Sequence, residues 1–266
     1  SDGLVLAGST GEGTLLTDSE KRDLWQAVAS AISIPVLAAT GSADTRHSVQ
    51  LTEAASQSGV DGILLVTPYY VRPSQEGLAN HFSQVAASTT LPILLYDIPA
   101  RTGRRIEIST TLHLARECSN IVGIKDASGD MPSTAKLAAQ APDGFQIYCG
   151  EDSLTLAMAA LGAVGIISVA SHWAGREMGE MLDCLSKGDT ASAAEINSRL
   201  TESWAFESSE EAPNPIPTKA VLRMLGLPSG QCRLPLGLAP GGTEAGARSV
   251  IHNLNQFFPG RLRDPS

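Results

Sequence analysis

The sequence holds five lysines, Lys21, Lys125, Lys136, Lys187 and Lys219, and only Lys125 directly follows an apolar run, Ile121-Val122-Gly123-Ile124. The other four stand among polar or helix-forming neighbours and read as surface residues. An amine at the end of a buried strand usually snorkels to water or pairs with an acid, here Asp126. If it stays buried, it needs a chemical purpose. The preceding strand-like run ends in Tyr96, followed by Arg101 in "YDIPARTG". Tyr96 stands where a strand gives way to a loop, which is the catalytic edge of α/β architectures, although strand tyrosines more often pack half-buried. Arg101 reads as a loop arginine. Near the start, "AGSTGEG" (7–13) offers the Ser9 and Thr10 hydroxyls and the Gly11 N–H, donors suited to a carboxylate or a phosphate. It is neither a Walker loop nor a dinucleotide fingerprint, and a plain turn is its commoner meaning. "VTPYYVRP" (66–73) places Tyr69 and Tyr70 after another apolar run, where adjacent tyrosines also suit a subunit interface.

The elements that must position these residues are legible as a rhythm. Apolar runs recur at Leu4–Ala7, Val36–Ala39, Gly62–Val66, Ile93–Tyr96, Ile121–Ile124, Phe145–Cys149 and Gly165–Val169. Each is of strand length and nearly continuous, as in parallel strands covered on both faces. Amphipathic helices are expected at Asp18–Ile32, Gln75–Ser88, Thr110–Cys118 and Asp152–Leu161, with Thr17 or Asp18 and Asp130 as caps. After Val169 the pattern is helical: Glu177–Ser186, Asp189–Glu207, Thr218–Leu225 and Thr243–Phe257. The polar, proline-rich segment Ser208–Pro217 is expected to be a loop. Alternating strands and helices imply a parallel sheet, either doubly wound or closed into a barrel, and spacing alone does not choose between them.

Composition narrows the function classes. The 266 residues are 42% hydrophobic, ample for a sizeable core, and the net charge of −9 argues against a nucleic-acid partner. No apolar run approaches the ~18 residues of a membrane span, and no secretory leader is expected. The four cysteines, Cys118, Cys149, Cys184 and Cys232, show no metal spacing and read as reduced thiols of a cytoplasmic protein, with no structural metal.

In this order and register, "GSTGE", "VTPYY", "RPSQEG", "YDIPARTG", "GIKDASGD", "YCGED", "GIISV" and "PNPIP" resemble the dihydrodipicolinate synthase / N-acetylneuraminate lyase family of class I aldolases. The resemblance spans nearly the whole chain. It implies a (β/α)8 TIM barrel over 1–188 and a C-terminal helical region over 189–266, assembled as a homotetramer of tight dimers. The chain opens on "SDGLVLAG", which matches the family's second strand, so the first βα unit is expected to be missing. By resemblance, Lys125 forms a Schiff base with pyruvate and Tyr96 shuttles protons with Ser9 and with Tyr70 from a neighbouring subunit. Thr10 binds the pyruvate carboxylate, Arg101 binds the carboxylate of aspartate semialdehyde, and Gly150 and Ile167 complete the substrate-binding set. Attack on a ketone needs a neutral amine, and apolar surroundings favour that form of an amine.

Within the family, Arg101, "PNPIP" and "RPSQEG" resemble the branch that condenses pyruvate with L-aspartate 4-semialdehyde to 4-hydroxy-tetrahydrodipicolinate, in lysine and diaminopimelate biosynthesis. Ser153, where sialic acid lyases prefer glutamate, agrees; Ser9, where that branch usually has threonine, departs but keeps the hydroxyl. The alternatives are an N-acetylneuraminate lyase or another sugar-acid aldolase, a non-catalytic relative, and an unrelated phosphate-binding barrel using the weak loop "SVASHWAG". No cofactor is implied. Lysine-inhibited relatives hold the effector with histidine and acidic residues at positions matching Asp18, Lys21, Ala43 and His47, a set that predicts weak feedback inhibition here.

Overall fold

The structure, a computed structural model, describes residues 1–262. Seven strands alternate with helices: β1 Leu4–Leu6, β2 Val36–Ala39, β3 Gly62–Val66, β4 Ile93–Asp97, β5 Ile121–Asp126, β6 Gln146–Cys149 and β7 Gly165–Ile166. The helices are α1 Asp18–Ala31, α2 Thr45–Ser56, α3 Gln75–Ala86, α4 Pro99–Thr102, α5 Ile108–Glu117, α6 Met131–Gln140 and α7 Thr155–Ala160. Four more follow β7: α8 Ser171–Ser186, α9 Thr190–Phe206, α10 Ile216–Met224 and α11 Thr243–Phe257. By contacts the chain forms two compact units: Asp2–Gly8 with Leu16–Ile167, and Ser1 with Ser9–Leu15 and Ser168 onward.

The first unit is a parallel sheet whose strands neighbour one another in chain order, β1 to β7. Its two faces carry different cores. Val36, Ala38, Ile63, Leu65, Ile93, Leu95, Ile147 and Cys149 pack against helix residues such as Trp25, Leu51, Phe82, Leu114 and Leu137. The alternate positions, Val5, Leu37, Leu64, Val66, Leu94, Tyr96, Val122, Tyr148 and Ile167, gather into a second cluster. That cluster includes a residue of β1 and the residue just past β7, so the sheet is curled, with helices outside, as in a TIM-barrel-like α/β fold. No pairing joins β1 to β7 among the described residues.

The register contains one irregularity. Ile93 pairs with Ile121, but Leu94 pairs with Gly123, leaving Val122 as an extra residue. Such a bulge swaps the faces of everything beyond it. Gly123 is required there: a Cβ at this position would stand 2.3 Å from the Gln146 carbonyl oxygen.

Helix starts follow local chemistry. Thr17 and Glu20 form a capping box on α1, and Asp44, Ser74 and Asp130 accept backbone N–H bonds from His47, Gly77 and Ser133. Several expectations need correction. Helix α2 was not anticipated, because "TRHSVQLTEAAS" is rich in polar and β-branched residues. Helix α8 begins at Ser171, with a kink at Ala174, rather than at Glu177. The last strand pairs only over Gly165–Ile166, and Arg101 stands on the short helix α4 rather than in a loop. In the second unit, buried Trp173 and Ser203 join α8 to α9 through an Nε1–H to Oγ bond of 3.2 Å. Among the described residues, no helix is long and apolar enough to cross a membrane, and the four cysteines are unbridged.

Behind the strand ends lies a polar layer. Asp97 and Asp126 are register partners, 3% and 7% exposed. Asp97 Oδ1 accepts from the Ile106 N–H at 3.0 Å, while Asp126 accepts from the Thr134 hydroxyl at 2.6 Å and the Ser128 N–H at 2.9 Å. Burial, with the Asp126 carboxylate nearby, pushes the Asp97 carboxyl up to about 7, partly opposed by the Ile106 bond and Arg105. Between the ordinary value of 3.8 and about 7 the folded chain therefore holds the extra proton, and this carboxyl costs stability increasingly as pH rises through that window. Asp97→Asn mimics the protonated form. Melting and urea titrations from pH 4 to 8 are expected to give no advantage to the variant near pH 4 and an advantage on the order of 2 kcal/mol above pH 7. An offset independent of pH would show that Asp97 does not titrate this way.

Candidate active site

The bulge decides where Lys125 points. Counting straight from Ile93–Ile121, Lys125 would face the helices beside Asp97. With Val122 extra, it pairs instead with Tyr96, and on its other side with Tyr148. A single row thus runs across the curled inner face: Val66, Tyr96, Lys125, Tyr148, Gly165. Lys125 is 9% exposed and Tyr96 5%. The Lys125 ammonium nitrogen lies 4.3 Å from the centroid of the Tyr96 ring, a cation–π distance when the amine is charged. A buried amine against a phenol, with no carboxylate paired to it in the row, is equipped for carbonyl addition and local proton transfer.

Gly150, just past β6, makes room for this side chain. A Cβ there would stand 2.8 Å from Lys125 Cε and 3.0 Å from its Cγ. Its N–H donates to the Asp126 carbonyl at 2.8 Å. Ile167 donates its N–H to the Cys149 carbonyl at 2.9 Å and packs in the same inner cluster as Tyr96. Tyr148 belongs to the row too, although sequence reasoning did not single it out; the signal was its alternation with buried Ile147 and Cys149. Its hydroxyl donates to Gln146 Oε1 at 2.9 Å.

Tyr70 and Arg101 occupy rim segments of the same unit. The Tyr70 N–H donates to the Thr102 carbonyl at 3.3 Å, linking the segment after β3 to α4. Tyr70 has φ of 72° and is 91% exposed, an unusual position for a tyrosine within one chain. Arg101 is also exposed, and α4 is held by the Thr102 hydroxyl, which bonds the Ile98 and Arg104 carbonyls.

Ser9 and Thr10 belong to the second compact unit. Both are half-buried, in a turn closed by a 3.1 Å bond from the Glu12 N–H to the Ser9 carbonyl. The Thr10 hydroxyl accepts from the Asn214 side-chain amide at 3.0 Å. The buried Glu12 carboxylate accepts from Lys219 Nζ and, at 2.7 Å, from the Arg233 N–H. Among the described residues no cluster of histidine, cysteine and acidic side chains is arranged to hold a metal ion.

Known proteins place this architecture. A sequence model of the Dihydrodipicolinate synthetase family matches residues 1–253. A 4-hydroxy-tetrahydrodipicolinate synthase of Moorella thermoacetica is 48% identical over 238 residues, 89% of this chain and 80% of that protein. A dihydrodipicolinate synthase structure from Bacillus anthracis superposes with a TM-score of 0.91 at 40% identity, covering 95% of this chain and 86% of that one. The enzyme from Cyanidioschyzon merolae, solved with lysine bound, gives 0.92 at 37% identity, over 95% and 86% of the two chains. A buried lysine in the inner row of a curled parallel sheet, together with these matches, places the chain in the dihydrodipicolinate synthetase family.

Proposed function

We propose that this chain condenses pyruvate with L-aspartate 4-semialdehyde to give 4-hydroxy-tetrahydrodipicolinate through an imine on Lys125. The observation that carries the reading is the buried Lys125 amine, facing the inner row against Tyr96. The amine attacks the pyruvate ketone, and water leaves to give an iminium. A methyl proton is then lost and the resulting enamine attacks the aldehyde, forming the new carbon–carbon bond. The amino group brought in by the semialdehyde attacks the iminium carbon, closes the ring and releases Lys125. One water is lost overall, and neither a metal nor a cofactor takes part.

In this scheme Tyr96 carries protons with Ser9 and with Tyr70 of a neighbouring copy, Thr10 binds the pyruvate carboxylate, and Arg101 meets the semialdehyde carboxylate. The 91% exposure of Tyr70 supports a role outside its own chain. Gly150 and Ile167 line the substrate site, Gly150 by leaving space beside Lys125. The proposed assembly is a homotetramer built from dimers. The proposed fold is that of a (β/α)8 barrel to which residues 1–188 supply seven strands, with β1 in the position of the second, followed by the helical region that begins at 189; the last residues of that region as expected from the sequence, 263–266, lie outside the described residues.

Turnover of pyruvate with aspartate semialdehyde, and none with pyruvate and N-acetylmannosamine, is the expected result. Activity with the sugar alone would point to the lyase reading, and absence of both to a non-catalytic relative. Arg101→Ala is expected to leave borohydride trapping of pyruvate intact and to cost about 1.5–3 kcal/mol in kcat/KM for the semialdehyde. Equal loss of trapping and turnover would refute its assignment to the second substrate.

Regulation by lysine is expected to be weak. His47 Nε2 lies 3.0 Å from Asp18 Oδ2, so that carboxylate is already engaged, and buried Lys21 sits within its reach. A cationic effector would meet two basic residues and an acid already bonded to His47. Turnover measured against rising L-lysine is expected to show half-inhibition above about a millimolar, equivalent to binding weaker than roughly 4 kcal/mol. Inhibition at micromolar lysine would contradict this reading of the residues.

A further inference from the structure

We propose that Asn214 is a positioning residue for pyruvate: its amide turns the Thr10 hydroxyl proton toward the substrate carboxylate. The inference rests on the assignment of Thr10 to that carboxylate. A threonine hydroxyl has one proton to give and lone pairs to receive, whereas an amide NH2 only gives. Asn214 Nδ2 donates to Thr10 Oγ1 at 3.0 Å. With a donor seated on its oxygen, Thr10 must aim its own proton elsewhere, which presets it for an anion before the anion arrives.

The surrounding bonds hold the amide in that sense. Asn214 is 6% exposed, and its Oδ1 accepts from the Thr218 hydroxyl on α10 at 3.3 Å, which assigns the oxygen to that side and the NH2 to Thr10. Its backbone N–H donates to Ser208 Oγ at 3.2 Å. The loop that bears Thr10 is fastened independently. Glu12, 7% exposed with φ of 54°, receives Lys219 Nζ of α10 and the Arg233 N–H, and Lys219 also donates to the Gln231 carbonyl at 3.1 Å. The loop bearing Thr10 and Glu12 is thus clipped at Thr10 to the turn before α10, and at Glu12 to α10 and the Arg233 backbone, so the Thr10 hydroxyl has little freedom to follow a different partner. The turn that leads into α10 then contributes to pyruvate binding through Asn214.

The test compares Asn214→Asp, Asn214→Ala and Thr10→Ala in the full chain, with the Thr10→Ala/Asn214→Ala double variant. Asn214→Asp keeps shape and the acceptor for Thr218 but replaces the donor by an acceptor that captures the Thr10 proton. It is expected to raise the pyruvate KM roughly tenfold or more, Asn214→Ala about fivefold, with kcat and the semialdehyde KM changed less than about twofold. A role in folding alone would not order the two variants this way. In the Thr10→Ala background, Asn214→Ala is expected to add nothing. Thr218→Val, which keeps side-chain volume and frees the amide to flip, is expected to raise the pyruvate KM alone, and serves if the Asn214 variants do not fold. Unchanged pyruvate KM in the Asn214 and Thr218 variants, with Thr10→Ala impaired, overturns the positioning role only. A neutral Thr10→Ala overturns the carboxylate assignment and the positioning role with it, while imine trapping on Lys125 would stand or fall separately.

Discussion

One extra residue in β5 determines which face of the sheet carries Lys125. The Val122 bulge moves Lys125 from a partnership with Asp97, among the helices, to one with Tyr96, on the inner face. Side chains alternate strictly along a strand, so there is no intermediate arrangement. The bulge in turn needs Gly123, where the Gln146 carbonyl leaves no room for a side chain. The same geometry places Ile124 in the core against the helices and Asp126 beside Asp97. A one-residue irregularity thus separates a buried amine on one face from a pair of buried acids on the other.

That separation has electrostatic sense. Had Lys125 met Asp97 or Asp126, the buried amine would have been tied to a carboxylate instead of standing against the Tyr96 ring. Instead the two acids accept from hydroxyl and backbone donors, Ile106, Ser128 and Thr134, and tie the ends of β4 and β5 to the segments that follow them and to α6. Those segments carry Arg101 and the approach to α6. The second unit repeats the device on a smaller scale: buried Glu12 takes donors from Lys219 and Arg233, and Asn214 takes hold of Thr10. In both units, buried polar groups away from the proposed reacting atoms hold the residues assigned to substrate.

Much of this was legible in the sequence, for identifiable reasons. Continuous apolar runs of strand length separated by capped amphipathic stretches read directly as a parallel α/β sheet, and the position of Lys125 at the end of such a run was visible too, whereas Lys21, expected at the surface, is buried at 8% exposed on the inward side of α1. The facing of Lys125 was not legible. In a strand buried on both sides the alternation of polar and apolar residues is erased, so "IVGIKD" carries no mark of which residue bulges. Gly150 was read as a substrate contact, and its close approach to Lys125 gives it a packing role as well. Helix α2 is not legible because few of its residues are apolar, and its start depends on Asp44, whose capping bond is evident only in three dimensions. Asn214 lay inside a proline-rich segment expected to be a loop, where no pattern ties it to a hydroxyl more than two hundred residues earlier.

The central claim is that the amine turned inward by the bulge is the one that takes pyruvate. Borohydride reduction in the presence of pyruvate, followed by proteolysis and peptide mass analysis, tests it directly. The account predicts a single reduced pyruvate adduct, located on Lys125 and absent from Lys125→Ala. An adduct on Lys21, Lys136, Lys187 or Lys219, or one that survives the Lys125 substitution, would contradict it.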